Sequence, residues 1–576
     1  MLVIKGIAAS QGIVIGKAFV VNDSQPELPR YEITPDGKEG ELSRLNGTQT
    51  VTKGQLQDIR SNLASKVGED EAAIFDAHLM LLEDPMFVKA ITEKIAQGNN
   101  AEAAVYDASE DFASMFDAME DEYMRGRAAD VRDIRTRWVN NLMGVETGSL
   151  GNITEPAVVF AHDLAPSDTA QMDRTKVLAF VTEIGGRTSH SAIMARSLEI
   201  PAVVGVGEFG GIASGDTVIV DGGVGQVLVH PDEATIAEYE VRRQKLAERR
   251  AELLALKDLS AQTTDGKTFE LAANIGTPHD VDSALAYGAQ GVGLYRTEFL
   301  YMDRKDMPSE QEQYAAYHKV LEAFGELPVI IRTLDIGGDK ELPYLQMDKE
   351  LNPFLGNRAI RLCLANPEFF KVQLRAILRA GVTGNPWIML PMVATLGEVR
   401  RTKELLRQVE AELEAEGTEF TREYKLGIMV EIPAAAVQAD HFAQEVDFFS
   451  IGTNDLIQYT CAVDRMNEKV SYLYDPFNPA VLRLIDQVIS AGHKHGKFVG
   501  MCGEMAGEPL AAPLLVALGL DEFSMSASSI PQVKAVIRAL DTKRCQELWQ
   551  QAQHYSDGKE IRELLERELA ELLQQI

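Results

Sequence analysis

Arginines and carboxylates recur through roughly the last 300 residues of the chain in a combination that could bind a small anion. They are Arg296, Arg332, Arg358, Arg465, Glu431 and Asp455. Guanidinium groups are planar forks that match phosphate and carboxylate oxygens. A pair of carboxylates beside a phosphate favours Mg²⁺, although the same pair could act as a general acid and a general base. Because several cations accompany the pair and Asn454 precedes Asp455, we favour the metal.

A second candidate is His190, in the segment GGRTSHSAIMARS (185–197). Gly185 and Gly186 permit a sharp turn, and the small residues that follow predict the start of a helix. Backbone N–H groups at a helix start favour a bound anion. A lone histidine is more often a buried or surface hydrogen-bonding residue, but this setting favours a nucleophile that carries a phosphoryl group.

Eight apolar, strand-like runs separated by helical stretches would position the first group of residues. They are FELAANI (269–275), GVGLYR (291–296), VIIRTLDI (329–336), WIMLPMV (387–393), LGIMVEI (426–432), DFFSIG (447–452), FVGMCG (498–503) and EFSMS (522–526). This alternation predicts a (β/α)₈ barrel, whose active site lies at the carboxyl ends of its strands. Arg296, Arg332, Glu431 and Cys502 fall at or near such ends. Their co-location favours a functional role over a surface or salt-bridge arginine. Taken alone, Cys502 would be interpreted as a small buried hydrophobe.

The N-terminal part of the chain predicts a different architecture. β-branched segments with glycine turns occupy residues 1–22 and 147–230, and a helical pattern occupies 23–146. The simplest interpretation is one α/β domain interrupted by a helical insertion. Residues 231–260 predict a charged, semi-rigid helical linker, and 261–576 the barrel. The predicted fold class is therefore a multidomain α/β protein.

The charge balance is the unusual feature of the composition. Asp and Glu number 87 against 56 Lys and Arg, which gives a net charge of −31. A field of this sign disfavours nucleic acid and anionic membrane surfaces as partners. Residues 61–130 hold 16 acidic and 5 basic residues. This stretch is either a solvated bundle surface or a docking face for a basic protein.

The sequence also predicts a cytoplasmic protein. Lys5 and Lys17 interrupt the apolar opening, so it does not resemble a secretory signal. No run approaches the roughly 18 apolar residues of a membrane-spanning helix. The four cysteines include no CxxC pair, which disfavours a disulfide framework or a zinc site.

Two long motifs carry a family resemblance. GGRTSHSAIMAR (185–196) resembles the phosphohistidine signature of phosphoenolpyruvate-utilising enzymes, and DFFSIGTNDLIQYTCAVDR (447–465) resembles their second signature. Three further segments resemble members that serve the bacterial phosphoenolpyruvate:sugar phosphotransferase system: GEDEAAIFDAHLMLLEDP (68–85), DEYMRGRAADVRDI (121–134) and GLYRTEFLYMDR (293–304). The resemblance runs from end to end of the chain.

This resemblance implies a role for each candidate residue. His190 would accept the phosphoryl group of phosphoenolpyruvate, and Cys502 would protonate the enolate to give pyruvate. Glu431 and Asp455 would bind Mg²⁺. The implied substrate-binding residues are Arg296, Arg332, Arg358, Asn454 and Arg465.

Further implications concern support, assembly and partners. Thr169 would orient the active histidine, and Lys340 would join the cationic pocket. The family works as a homodimer through its barrel domains. His190 would pass its phosphoryl group to the small phosphocarrier protein HPr, the first step of sugar uptake, and the acidic 61–130 face would dock this basic partner. Since His190 and the barrel pocket belong to different predicted domains, one domain must dock on the other and swing away, with the linker as the hinge.

Three alternatives share parts of the pattern. Pyruvate phosphate dikinase and phosphoenolpyruvate synthase require an ATP-binding module, for which we expect no room in this chain. The nitrogen-regulatory paralogue would carry a sensory domain before residue 1, which we do not expect here. A non-catalytic regulatory scaffold is disfavoured by the intact set of His190, Glu431, Asp455 and Cys502.

Overall fold

The computed structural model describes most of the chain. The described residues are 1–21, 28–66, 69–117, 122–144, 153, 155–164, 175–186, 189, 191–192, 195, 200–302, 304, 306–337, 342, 344–345, 350–465, 467 and 469–575. The chain divides into two compact units, Met1–Glu248 and Arg249–Ile576.

An eight-stranded mixed sheet forms the framework of the first unit. Its strands are β1 (Leu2–Lys5), β2 (Ile7–Ser10), β3 (Ile13–Val20), β4 (Ala157–Ala161), β5 (Val177–Thr182), β6 (Ala202–Val204), β7 (Thr217–Asp221) and β8 (Gln226–Val229). Their spatial order is β1-β8-β7-β3-β4-β5-β6-β2. Because β3 pairs in parallel with β4 and antiparallel with β7, the N-terminal strands share one sheet with strands that follow residue 156.

Among the described residues, five helices lie between β3 and β4 in the sequence. They are α1 (Lys38–Lys66), α2 (Glu69–Leu82), α3 (Pro85–Ala96), α4 (Ala101–Asp117) and α5 (Glu122–Met143). In α3, Asp84 accepts hydrogen bonds from the backbone N–H groups of Met86 and Phe87, an N-cap that satisfies two otherwise unpaired donors. The helix buries Phe87, Ile91 and Ile95, a spacing of four residues that places them on one face.

A long helix, α6 (Glu233–Ala255), contains the point at which the chain divides into two units. Its first turns belong to the first unit, where Tyr239 packs on Ile219 and Leu228. Arg242 forms an ion pair of 2.9 Å with Asp221. Residues 243–248 are all exposed. The helix lies within the predicted linker, 231–260, and the limits of the individual domains stay a prediction.

The second unit contains a closed barrel of eight parallel strands. A short strand, β9 (Ala261–Gln262), pairs antiparallel with the first of them. The eight are β10 (Thr268–Ile275), β11 (Val292–Arg296), β12 (Pro328–Arg332), β13 (Asn385–Leu390), β14 (Lys425–Val430), β15 (Phe448–Ile451), β16 (Phe498–Met501) and β17 (Glu522–Met525). They pair in chain order, and β17 pairs back with β10. The predicted (β/α)₈ barrel is confirmed, and each predicted run overlaps one strand.

Helices surround this barrel. They are α7 (Asp280–Ala286), α8 (Glu310–Phe324), α9 (Ile360–Ala365), α10 (Pro367–Ala380), α11 (Leu396–Glu416), α12 (Pro433–Val437), α13 (Ala439–Phe442), α14 (Thr453–Cys461), α15 (Pro479–Lys494), α16 (Ala512–Leu518), α17 (Ile530–Ala539), α18 (Thr542–Ala552) and α19 (Gly558–Gln575). One strand-borne cluster is separate from the helix-facing core and contains Leu294, Ile330, Trp387, Met389, Met429, Phe448 and Cys502. Because side chains alternate along a strand, this cluster marks the row that points into the barrel.

Among the residues described above, no helix combines the length and the apolar character needed to cross a membrane. All four cysteines carry free thiols, and Cys363, Cys502 and Cys545 are buried.

Candidate active site

Two buried arginines at the carboxyl ends of the barrel strands share one carboxylate. Arg332 ends β12, and its Nη1 lies 3.0 Å from Asp335 Oδ2. The other oxygen, Asp335 Oδ1, lies 2.9 Å from Arg358 Nη2. Arg332 Nη2 donates a hydrogen bond of 2.6 Å to Glu298 Oε1. The two guanidinium groups are therefore fixed relative to one another.

Local packing explains how Arg358, which lies 26 residues after Arg332 in the sequence, reaches this place. Gly337 has φ of +117°, and a Cβ there would lie 2.4 Å from Arg358 Cβ. Only glycine tolerates this conformation together with so close an approach. Arg358 Nη1 also lies within hydrogen-bonding reach of the Tyr459 hydroxyl, at 3.3 Å.

Each of these two arginines has a buried side-chain N–H group that is not used in a hydrogen bond with any described residue. Within the described part of the chain, neither Arg332 Nε nor Arg358 Nε has a hydrogen-bond partner. Burial by itself would lower the pKa of the Arg332 guanidinium, but the carboxylates of Glu298, Asp335 and Glu431 raise it overall. Both groups are consequently permanent cations with unsatisfied buried N–H groups, a situation that an anionic ligand would relieve.

Two further carboxylates lie beside the arginines. Glu431 follows β14, is 2% exposed, and accepts a 2.6 Å hydrogen bond from the backbone N–H of Met392. Asp455, in the first turn of α14, has Oδ2 at 3.7 Å from Arg358 Nη2. Burial, and then the charges of Asp455 and Asp335, raise the pKa of Glu431 well above its usual range, although Arg332 and Arg358 oppose the shift.

The carboxylates of Glu431 and Asp455 fit a divalent cation whose remaining ligands are water and substrate oxygens. Glu431 and Asp455 interact electrostatically as like charges, so a cation between them would replace a repulsion by two attractions. No group of three or more His, Cys, Asp or Glu side chains suited to a metal occurs among the described residues. Two carboxylates are compatible with Mg²⁺, which usually binds one or two and fills its shell with water and substrate oxygens.

Cys502 lies inside the barrel, directly after β16. It is 4% exposed, and its backbone N–H donates a hydrogen bond of 3.1 Å to the carbonyl of Ile451. Burial raises the pKa of the thiol to about 11, although the Ser450 hydroxyl and Arg332 act in the opposite direction. The thiol is therefore protonated at neutral pH and can donate a proton.

The remaining described candidates are more open to solvent. Arg296 ends β11 and is exposed, next to Arg332 in the strand ladder. Asn454 exchanges two hydrogen bonds with Glu504, one from its amide to Oε1 at 3.2 Å and one from the Glu504 N–H to its Oδ1 at 3.1 Å. Arg465 is exposed and lowers the pKa of Tyr474, which burial raises overall to about 12.

Three predicted residues, His190, Thr169 and Lys340, lie outside the described residues. The described neighbours of His190 include Ser189, whose hydroxyl donates a hydrogen bond of 2.8 Å to the carbonyl of Gly186. The Ser189 hydroxyl also accepts a hydrogen bond of 3.3 Å from the backbone N–H of Ala192.

Two carboxylates and one amide of this site were given no role from the sequence, although Asp335 lies in the third predicted strand run. Asp335 and Glu298 hold the arginines, and Asn274 Nδ2 donates a hydrogen bond of 3.0 Å to the carbonyl of Cys502. Their positions did offer a signal, since Glu298 follows Arg296 by two residues and Asn274 lies one residue before the end of its strand. The sequence gives no indication, however, of which cation each carboxylate would meet.

Comparison with known protein families gives matches along most of the chain. Residues 250–542 match the PEP-binding domain of the PEP-utilising enzymes. Residues 5–127 match the N-terminal domain of the same enzymes, and residues 153–225 match their mobile domain.

Curated relatives match over nearly their full length. A phosphoenolpyruvate-protein phosphotransferase of Listeria innocua is 52% identical over 570 residues, 99% of each chain. Proteins with the same description from Staphylococcus carnosus and Geobacillus stearothermophilus are 52% identical over 98% and 55% identical over 93% of each chain. A solution NMR structure of Enzyme I (nEIt) is 41% identical, covers 42% of this chain and 99% of its own, and has a TM-score of 0.38.

Proposed function

Since the chain belongs to the family of PEP-utilising enzymes, we propose that it takes the phosphoryl group of phosphoenolpyruvate onto His190 and then passes it to a histidine of the phosphocarrier HPr. Its full-length relatives are phosphoenolpyruvate-protein phosphotransferases, and the chain is a transferase of this kind. The choice of His190, the identity of the carrier and the roles of the residues below are the proposal.

The observation that carries the proposal is the arginine pair with its unsatisfied Nε donors. Phosphoryl transfer requires little covalent chemistry from the protein, because positioning and charge neutralisation supply most of the catalysis. Arg332 and Arg358 present fixed cations at the strand ends. In the proposal they bind the phosphate together with Arg296, while Asn454 and Arg465 bind the remaining phosphate and carboxylate oxygens. Lys340 would add positive charge to this pocket.

Glu431 and Asp455 would hold the divalent metal that enzymes of this family generally need, and we propose Mg²⁺. When bound, the metal supplies positive charge to the phosphate oxygens. Met392 contributes to this arrangement, since its N–H fixes one oxygen of Glu431. His190 would attack the phosphorus in line with the departing enolate oxygen, at a reacting distance of about 3–3.5 Å, and Thr169 would orient its ring.

The proposed proton donor to the enolate is Cys502. Its thiol is uncharged at neutral pH because burial raises its pKa to about 11. The proton would go to the methylene carbon of the enolate, which becomes the methyl group of pyruvate. Arg332, which acts electrostatically on the thiol, would stabilise the resulting thiolate until water returns a proton.

The partner in the second step is proposed to dock on the helical segment. Exposed side chains there combine acidic groups such as Glu83 and Glu93 with apolar ones such as Met86, which is 74% exposed. An acidic surface with apolar anchors complements a basic carrier protein. We also propose a homodimer through the barrel units.

The test is a comparison of single and multiple turnovers. With phosphoenolpyruvate and Mg²⁺ alone, we expect one pyruvate per active protomer, because the phosphoryl group stays on the enzyme. Addition of HPr should convert this burst into steady turnover. Continuous pyruvate release without a carrier, or no release with it, would contradict the proposed two-step transfer.

A further inference from the structure

A hydrogen-bonded chain of side chains inside the barrel ends on the backbone of Cys502. Ser524, on β17, donates a hydrogen bond of 2.6 Å from its hydroxyl to Asn274 Oδ1, on β10. Asn274 Nδ2 in turn donates a hydrogen bond of 3.0 Å to the carbonyl of Cys502. Ser524 is fully buried and Cys502 is 4% exposed. Both polar atoms of the Asn274 side chain, Oδ1 and Nδ2, are therefore hydrogen-bonded.

The backbone of Cys502 is held from two sides. On one side its N–H donates a hydrogen bond to the Ile451 carbonyl of β15. On the other side its carbonyl accepts from the side chain of Asn274. The first bond continues the regular pairing of neighbouring strands, but the second depends on a single side chain from β10. Loss of that side chain would free the carbonyl end of Cys502.

The surrounding chain leaves little space for another arrangement. A Cβ on Gly503 would lie 1.8 Å from Thr453 Oγ1, so the residue after Cys502 packs directly against the start of α14. A Cβ on Gly293 would lie 2.3 Å from Ser524 Oγ. Glycine at 293 therefore makes room for the hydroxyl that orients Asn274.

We propose that Asn274, oriented by Ser524, is a positioning residue that directs the Cys502 thiol toward one face of the enolate. This inference rests on the proposed function of Cys502 as the proton donor. In that step the S–H bond breaks and its proton goes to the methylene carbon. The electrons of the carbon–carbon double bond form the new C–H bond, and the enolate oxygen becomes a carbonyl. The thiolate regains a proton from water.

Face selection follows from fixed geometry. A donor held at one position protonates one face of the planar enolate, whereas a displaced donor lets water compete from either face. Substitution of Asn274 should therefore change the stereochemical outcome, which a general loss of stability would not do. Transfer of the phosphoryl group, which depends on the arginines, should be affected much less.

The experiment uses phosphoenolpyruvate that carries one deuterium at a known methylene position, with the reaction run in tritiated water. The pyruvate methyl group then becomes chiral, and its handedness reports the face of protonation. The variants are Asn274→Asp, which keeps the shape and the acceptor for Ser524 but removes the donor, and Ser524→Ala, which removes only the support of Asn274. Thr402→Val is the matched control, because this buried hydroxyl donates to the carbonyl of Glu398 on an outer helix.

We expect one handedness from the wild type and from Thr402→Val. Asn274→Asp should raise the minor product at least about tenfold, while the rate of phosphoenzyme formation changes by less than about threefold. Ser524→Ala should show a smaller change in the same direction, and it provides the test if Asn274→Asp does not fold. Lower pH should partly restore Asn274→Asp, because a protonated carboxyl can donate to the Cys502 carbonyl.

Unchanged handedness and pyruvate rate in both folded variants would overturn the inference. Cys502→Ala separates this failure from failure of the proposed function. If Cys502→Ala still gives a single handedness at the wild-type rate, Cys502 is not the proton donor. Both its proposed role and the positioning role of Asn274 are then wrong. If Cys502→Ala loses the handedness and the Asn274 and Ser524 variants keep it, only the positioning role is wrong.

Discussion

A single carboxylate organises the most charged part of the candidate site. Asp335 uses one oxygen for Arg332 and the other for Arg358, so two residues that are 26 positions apart in sequence act as one unit. The types of these residues and the position of Arg332 at a strand end were readable from the sequence. Their sharing of Asp335 was not, because it depends on the close packing of Arg358 against Gly337.

Asp335→Asn should separate the two arginines while it keeps the volume of the side chain. We expect kcat/KM for phosphoenolpyruvate to fall about 10- to 100-fold, because misplaced cations no longer match the substrate oxygens. Rapid-quench measurement of phosphoenzyme formation would show the loss.

Glu310→Gln is the control for Asp335→Asn. Glu310 also bridges two arginines, Arg375 and Arg379, but on the outer helices of the barrel. It should leave kcat/KM within about twofold of the wild type. Equal losses in both variants would show that Asp335 acts through stability and not through the site.

Glu522 gives a prediction about pH and stability. This fully buried residue of β17 has its pKa raised to about 8, first by burial and then by the charges of Glu270 and Asp521. Because the folded state holds the proton more tightly than the unfolded chain, stability should fall as the pH rises from about 4.5 toward 8. Glu522→Gln should remove that part of the slope, each pKa unit being worth about 1.4 kcal/mol.

Urea unfolding of the wild type and of Glu522→Gln across this pH range would measure the slope. The variant should gain stability relative to the wild type as the pH rises. A difference between the two proteins that does not change with pH would show that Glu522 has the same pKa in the folded and unfolded states.

At the scale of elements, the strands were the part most accessible to sequence analysis. Each barrel strand is a short apolar run buried on both faces, and such runs between helices are characteristic of this architecture. The sheet of the first unit was harder to derive, since β3 and β4 are neighbours in space but are separated by all five helices. Only the similarity between two glycine-rich, β-branched segments indicated this pairing.

The N-terminus of α3 offers a test of one element. Asp84 caps this helix by accepting hydrogen bonds from two backbone N–H groups. Asp84→Ala should destabilise the first unit by about 1 kcal/mol, and Asp84→Asn, which can still cap, should cost much less. Thermal unfolding of the two variants would measure the difference. Equal destabilisation by both would mean that the charge of Asp84, and not its cap, stabilises the helix.

At the scale of the whole molecule, the net charge of −31 is unevenly distributed along the chain. The candidate site contains Arg332 and Arg358, although the chain as a whole would repel an anion. The acidic helical segment lies in the other unit. In the proposed function these two regions serve different ligands, a small anion and a basic protein, so the net charge excludes neither.

Charge reversal in the helical segment tests this division. Glu83→Lys combined with Glu93→Lys changes two exposed residues and leaves the Asp84 cap intact. Phosphoryl transfer to HPr should slow by about tenfold at low salt, with a smaller effect at high salt. Phosphorylation of the enzyme itself should not change.

The control for this pair is Glu404→Lys combined with Glu419→Lys, two exposed residues of the barrel unit. This variant has the same net charge and should transfer to HPr at the wild-type rate. Equal slowing by both pairs would show that only the net charge matters and would contradict a local docking face.

The most direct test of the central claim is to follow a radiolabelled phosphoryl group from phosphoenolpyruvate onto the protein in the presence of Mg²⁺. We expect an acid-labile, base-stable label on the wild type and on His162→Ala, which removes an exposed histidine of the first unit. We expect no label on His190→Ala. A label retained by His190→Ala, or no label on the wild type, would contradict the account.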